Sequence, residues 1–220
     1  MIVSGGLDSS GVASYWKKEG HEIYLLTFNY GQRASQEIKR AVEIGKYLEA
    51  KEHKVVDISF MKELYGSSNV LTDETKEMPA SFQSSIIVPI RNAVFLTIAT
   101  AFAFSISAGS VGYGAHLSDQ PYPDCRPQFA KELASALNLG DIDAIQMGTH
   151  PEIRIWSPAM EGMSKEKLLS VSFEILGNKL FRTWSCYQDG KVQCGKCESC
   201  NNRKKAFQLA GIKDETPYLT

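Results

Sequence analysis

Apolar residues recur along this chain in two periods that take turns. Ile2-Val3 is the stub of a first strand. "HEIYLLTFNYG" places Ile23, Leu25, Leu26 and Phe28 on a second strand, which Gly31 stops. "HKVVDIS", "SVGYGAH" and "EIRIWSP" predict a third, fourth and fifth strand. Between them the period lengthens to that of a helix. One helix is expected from Ser9 to Glu19. Another runs through "ASQEIKRAVEIGKYLEA", where Ile38, Ala41, Val42, Ile44, Gly45 and Leu48 recur at helical spacing with charges between them. A long apolar helix follows Val88-Pro89. "RPQFAKELASAL" and "SKEKLLSVSFEIL" are two more, the latter opening on a serine N-cap. This alternation predicts an α/β fold, a parallel sheet with helices on both faces, in which ligands bind beyond the C-terminal ends of the strands. Tyr65 to Ser85, rich in Ser, Thr, Glu and Lys without clear periodicity, predicts a mobile loop and a candidate lid.

The 220 residues suffice for one well-buried domain with a small appendage. Lys+Arg number 24 and Asp+Glu 25, a formal charge of −1, which argues against a protein whose main task is to coat nucleic acid or anionic lipid. The 43% hydrophobic and 22% charged shares are those of a soluble globular chain. The longest uncharged run, Ala93 to His116, invites a membrane reading. Gly109, Gly112 and Gly114 split it, and Thr97, Thr100, Ser105 and Ser107 interrupt it, so a buried helix followed by a buried strand is expected. With no basic or apolar leader ahead of the first glycines, the expected location is the cytoplasm.

The chemistry concentrates in a few stretches. "SGGLDSS", Ser4 to Ser10, sits between strand and helix, where successive backbone N–H groups and a helix N-terminus form an anion cradle. It has no Walker lysine. Asp8 beside a phosphate implies an intervening Mg²⁺, although a plain glycine turn with an Asp/Ser cap fits the same residues. Four of the five cysteines, Cys186, Cys194, Cys197 and Cys200, have the spacing C-x7-C-x2-C-x2-C, which suits a closed Zn²⁺ site or an iron–sulfur cluster. Lys191, Lys196, Arg203, Lys204 and Lys205 would offset the thiolate charge. Cys125 reads as a buried filler or a nucleophile. Arg91 in "VPIRN" is a candidate clamp for phosphate or carboxylate. Asp124 is a candidate acceptor for a guanine-like N–H edge, and Arg126 a candidate for a carboxylate. Lys165 is either a phosphate ligand or a solvated helix-start charge. The four histidines have no metal-ligand spacing and are assigned surface or structural roles.

S-G-G-x-D-S at a strand-to-helix turn resembles the pyrophosphate loop (PP-loop) of the N-type ATP pyrophosphatases, which split ATP between the α and β phosphates. Taken with "NYGQR", "VPIRN", "YPDCRP" and "TWSCY…CGKCESCNNRKKAF", the chain from about Val3 to Tyr218 is similar to the 7-cyano-7-deazaguanine (preQ0) synthase family of queuosine and archaeosine biosynthesis. The loop Asp119–Arg126 is one residue shorter than the family's D-x-S-G-Y-P-D-C-R and lacks its glycine.

The resemblance implies an adenine nucleotide alpha hydrolase-like, Rossmann-like sheet. One PP-loop ATP pyrophosphatase-type domain would span 1–220, with a four-cysteine zinc-binding segment at 183–212. It implies a carbon–nitrogen ligase using ATP, Mg²⁺ and Zn²⁺ to convert 7-carboxy-7-deazaguanine and ammonia into the nitrile. By the same resemblance Val3, Ser4, Gly5, Gly6, Leu7, Asp8, Ser9 and Ser10 would bind the nucleotide, with Thr27 and Phe28 contacting its base through main-chain groups. Asp8, Ser9, Arg91 and Lys165 would serve catalysis, and Asp124, Arg126 and Arg33 would hold the substrate. A homodimer is implied, with no nucleic acid or membrane partner. Two rivals stand beside it. One is a tRNA thiolase or another adenylating amidase, against which the near-neutral charge argues. The other is a non-catalytic zinc-ribbon module, against which the long α/β body argues.

Overall fold

The computed structural model describes residues 1–219 other than 67, 68, 74 and 82. Among them are strands β1 (Tyr24–Asn29), β2 (Glu52–Asp57), β3 (Ser110–Gly112) and β4 (Arg154–Trp156). The helices are α1 (Leu7–Lys18), α2 (Gln36–Tyr47), α3 (Met61–Tyr65), α4 (Arg91–Ser105), α5 (Pro127–Gly140), α6 (Ile142–Gln146), α7 (Lys165–Leu176) and α8 (Glu198–Leu209). β1 pairs with β2 and β3 with β4, both parallel. The N-terminal residues join the two pairs. Ile2 bridges Leu26 in parallel, and its N–H donates to the Gly112 carbonyl at 2.8 Å. The sheet therefore runs β2, β1, Met1–Val3, β3, β4, in the parallel arrangement that the alternation predicts.

Successive residues of β1 point to opposite faces and so to different cores. Leu26 and Phe28 pack with Leu96, Ala99 and Ala103 of α4, Ala130 of α5 and Ile155 of β4. Leu25 packs on the other side with Ala13 of α1, Ala41 and Ile44 of α2, Leu169 of α7 and Phe207 of α8. Helices thus cover both faces. The covering stops at the β2 edge, where Val55 is exposed.

Two segments differ from expectation. β3 and β4 are shorter than "SVGYGAH" and "EIRIWSP", because the chain leaves the sheet to pass over α1. Gly114 comes so close that a Cβ there would lie 2.9 Å from the Ser9 nitrogen. The described part of Tyr65–Ser85, expected as a mobile loop, makes packing and hydrogen-bond contacts that its composition does not announce. Val70 and Leu71 bury with Ile86 and Val88. Fully buried Asn69 donates to the Ile87 carbonyl and accepts from the Leu71 N–H, supplying the hydrogen bonds that a helix or sheet would otherwise provide. Arg33 clamps this loop by donating to the carbonyls of Val70, Asp73 and Lys76. Residues 67, 68, 74 and 82 of the expected lid lie outside the described residues.

The apolar stretch ahead of β3 breaks at Ile90, held in the left-handed region at φ 48°, an outlier for a β-branched residue. α4 is then 15 residues long, short of the roughly 20 a bilayer crossing takes, and it packs on the sheet.

Candidate active site

A cavity of about 610 Å³ opens at the C-terminal ends of β1, the N-terminal segment and β3. Its floor is the glycine loop. Gly5 sits at φ +87° against α2, where a Cβ would lie 2.1 Å from the Glu37 carbonyl oxygen, so only glycine fits. The loop is organised by its own hydroxyls. Ser9 Oγ accepts from the Ser4 N–H at 3.0 Å and lies 3.1 Å from Ser4 Oγ, which accepts from the Gly6 N–H. Gly6 caps α1 with no side chain, so the first-turn amides at Leu7, Asp8 and Ser9, all residues lining the cavity, remain donors for an anion.

Beside the loop lies a charged chain. Asp8 accepts from Lys165 at 2.8 Å and faces His116 Nε2 at 3.5 Å, while His116 Nδ1 faces Asp119 at 3.4 Å. Burial alone would raise the Asp8 carboxyl, but Lys165 and His116 outweigh it and hold it well below the usual carboxylate range. For His116 burial works against the charged form, yet Asp8 and then Asp119 raise its pKa. Asp8 Oδ1 is buried without a hydrogen-bond partner, and the His116 side chain also caps the turn at Leu117–Asp119. His116 is buried rather than on the surface, and besides its capping role it lines the cavity beside Asp8, a place its sequence setting did not suggest. No spacing rule finds it, because its partners come from α1 and the turn after β3.

The opposite wall is aromatic. Phe28 stacks on Phe95 at 4.4 Å, and Tyr30 tilts against Phe95 at 5.5 Å. Arg91 donates to the Tyr30 hydroxyl at 3.1 Å and lies over the Tyr30 and Phe95 rings. Tyr113, Tyr122, Trp184 and Tyr187 complete a surface suited to a flat heteroaromatic ring. Asp124 reaches the cavity while accepting from the Asn92 N–H, which caps α4 from outside the helix. Cys125 accepts from the Asn92 amide, and burial pushes its thiol far up, followed by Asp119 and Asp124.

Of the residues singled out from sequence, Val3, Ser4, Gly6, Leu7, Asp8, Ser9, Phe28, Arg33, Arg91, Asp124 and Lys165 line this one cavity. Gly5 stands behind it, accepting from the Trp184 N–H at 2.8 Å. Ser10 is buried beneath the loop, and the Thr27 hydroxyl turns away toward the Val3 carbonyl and His53. Arg126 is exposed, lies outside the cavity lining and donates to the Gln120 carbonyl. Glu37, unnoticed in the sequence among the charges of its helix, also lines the cavity.

Cys186, Cys194, Cys197 and Cys200 are buried, with their sulfurs within 4.8 Å of one another. Cys194 and Cys200 are 3.9 Å apart, close to the ~3.8 Å edge of a thiolate tetrahedron around an ion at about 2.3 Å. Backbone N–H groups of Gln188 and Cys194 donate to Cys186, and that of Cys197 to Cys194, as thiolates require. The donor set fits a metal ion. The segment also shapes the cavity, because Trp184 holds the Gly5 carbonyl two residues before Cys186.

The family model described as "Queuosine biosynthesis protein QueC" matches residues 1–211. A 7-cyano-7-deazaguanine synthase of Archaeoglobus fulgidus is 40% identical over 97% of this chain and 87% of its own length. A synthase of Colwellia psychrerythraea with the same name, numbered 1, is 37% identical over 99% and 97%. One of Caldicellulosiruptor saccharolyticus is 35% identical over 99% and 94%. A glycine loop, its charged chain and the four-cysteine segment thus meet at one cavity in a chain that belongs to the QueC family of queuosine biosynthesis proteins.

Proposed function

We propose that the chain is an ATP-dependent ligase that turns 7-carboxy-7-deazaguanine and ammonia into 7-cyano-7-deazaguanine, as one PP-loop domain over 1–220. The observation that carries this reading is that a phosphate-type loop and an aromatic wall face each other across one cavity. A carboxylate resists attack because hydroxide leaves poorly. Transfer of AMP to it creates a leaving group, and the amides of Leu7 to Ser9 stabilise charge on the departing pyrophosphate. Ammonia then gives the amide, and a second adenylation on the amide oxygen allows loss of AMP to the nitrile.

Ser4 and Ser9 shape the loop, while Lys165 and His116 keep Asp8 ionised. Asp8, with Oδ1 buried and lacking a hydrogen-bond partner, suits Mg²⁺ carried in with the nucleotide. That ion would neutralise phosphate charge. Arg91 holds the acid end of the substrate against Tyr30 and Phe95, and Asp124 meets its N–H edge. In this reading Zn²⁺ fills the four-cysteine site and fixes Trp184 against the loop. The enzyme acts in the cytoplasm as a homodimer on free small molecules, in keeping with its formal charge of −1.

The test is mass spectrometry of 7-carboxy-7-deazaguanine incubated with the protein, ATP, Mg²⁺ and ammonium. Sequential appearance of the amide and nitrile masses is expected. An unchanged substrate, from folded protein that binds ATP, would refute the reading.

A further inference from the structure

Glu37 differs from the other carboxylates described around the cavity. It lies in the first turn of α2 with its backbone against Gly5 of the loop, and it is one of the residues that line the cavity. Among the described residues its carboxyl has no hydrogen-bond or ion-pair partner. The groups whose charge reaches it are Arg91 of α4 and Tyr30 of the turn after β1. Asp8, Lys165, His116 and Asp119 are engaged with one another. The residue is half-buried, and no structural pairing holds its carboxyl in place. Burial pushes this one up to about 8, and Arg91 only partly offsets it. Its basicity is therefore matched to proton transfer near neutral pH.

Resting on the reading above, we propose that Glu37 is the general base that takes nitrogen-bound protons in the ammonia-dependent half of the reaction and again in nitrile formation. In the first half the ammonia lone pair forms a bond to the acyl carbon, and the carbonyl π pair moves to oxygen. Glu37 takes one N–H proton. The oxyanion then restores the carbonyl and expels AMP with the C–O bonding pair. In the second half the amide oxygen displaces pyrophosphate from ATP as Glu37 takes one N–H proton. Removal of the remaining N–H proton forms C≡N as the C–O bond to AMP breaks. Glu37 returns each proton to water.

The experiment compares wild type and the near-isosteric Glu37→Gln, both with their metal bound. Exchange of labelled pyrophosphate into ATP, dependent on the carboxylate substrate, reads adenylation alone and requires a folded loop. It should stay within about threefold of wild type. Amide formation from ammonia should fall by about 100-fold or more. Hydroxylamine, whose adduct carries a far more acidic N–H that water can take, should restore attack to within roughly tenfold, as hydroxamate. Glu37→Asp, which keeps the carboxylate, should retain part of the ammonia-dependent rate. Wild-type amide formation by Glu37→Gln, or exchange falling in parallel with it, would overturn the assignment. Absent exchange in the wild type would instead refute the reaction, and the base with it.

Discussion

Gly5 and Gly20 form a matched pair for testing how the loop is built. Both have positive φ, 87° and 84°. A Cβ on Gly20 would meet nothing within 4 Å, whereas on Gly5 it would lie 2.1 Å from the Glu37 carbonyl oxygen and 2.6 Å from the Ala41 nitrogen. Those are backbone atoms of α2, and α2 cannot retreat because Ala41 and Ile44 are fully packed on the sheet. Gly20→Ala should therefore cost only the left-handed penalty, about 1–2 kcal/mol. Gly5→Ala adds steric overlap of about 1–3 kcal/mol, for about 2–5 kcal/mol in all. If the loop escapes the clash by swinging away, the Gly5 carbonyl loses the Trp184 N–H and the amide cradle opens. Urea unfolding of the two variants, with ATP binding by calorimetry, separates these effects. Gly5→Ala should be the less stable by about 1–3 kcal/mol or should lose ATP, and Gly20→Ala should bind normally. A Gly5→Ala protein as stable as Gly20→Ala and binding ATP like wild type would refute the reasoning.

Further outcomes follow from the same geometry. Asp8 has its native pKa depressed, so its contribution to stability is present above the unfolded value of about 3.9 and is lost as pH falls through the native one. Asp8→Asn should flatten the acid side of the stability curve and abolish turnover with metal content unchanged; an unchanged acid limb would show that Lys165 and His116 do not hold the carboxylate. Chelation should lower the melting temperature and weaken ATP binding together, since Trp184 links the cysteine segment to Gly5. Elemental analysis should find zinc in a colourless protein, and a brown one would point to iron–sulfur. Arg203, fully buried, donates to Thr183, Ser185, Thr216 and the Leu180 carbonyl. Arg203→Lys lacks the forked donors, and losing two or three of these bonds should cost about 2–3 kcal/mol by urea denaturation; a cost below the scatter of the measurement would mean water replaces them.

The periodicity of this chain was enough to determine a parallel α/β sheet with helices on both sides. That information is local, since side-chain direction repeats every two residues in a strand and about every 3.6 in a helix. Motifs that act within one turn were legible for the same reason: the glycine loop, the cysteine spacing and the Arg91 helix start. What required tertiary structure is every partnership between distant segments. His116 joins Asp8 only because the chain leaves β3 across the start of α1. Arg33 clamps a loop some forty positions away, and Asp124 caps a helix that precedes it. Glu37 reads in sequence as one more charge on an amphipathic helix. It becomes an unpaired acid in the lining of the cavity only when α2 is docked against Gly5. Charge along a chain is one-dimensional, whereas desolvation and pairing depend on which surfaces close over a group, and only packing decides that.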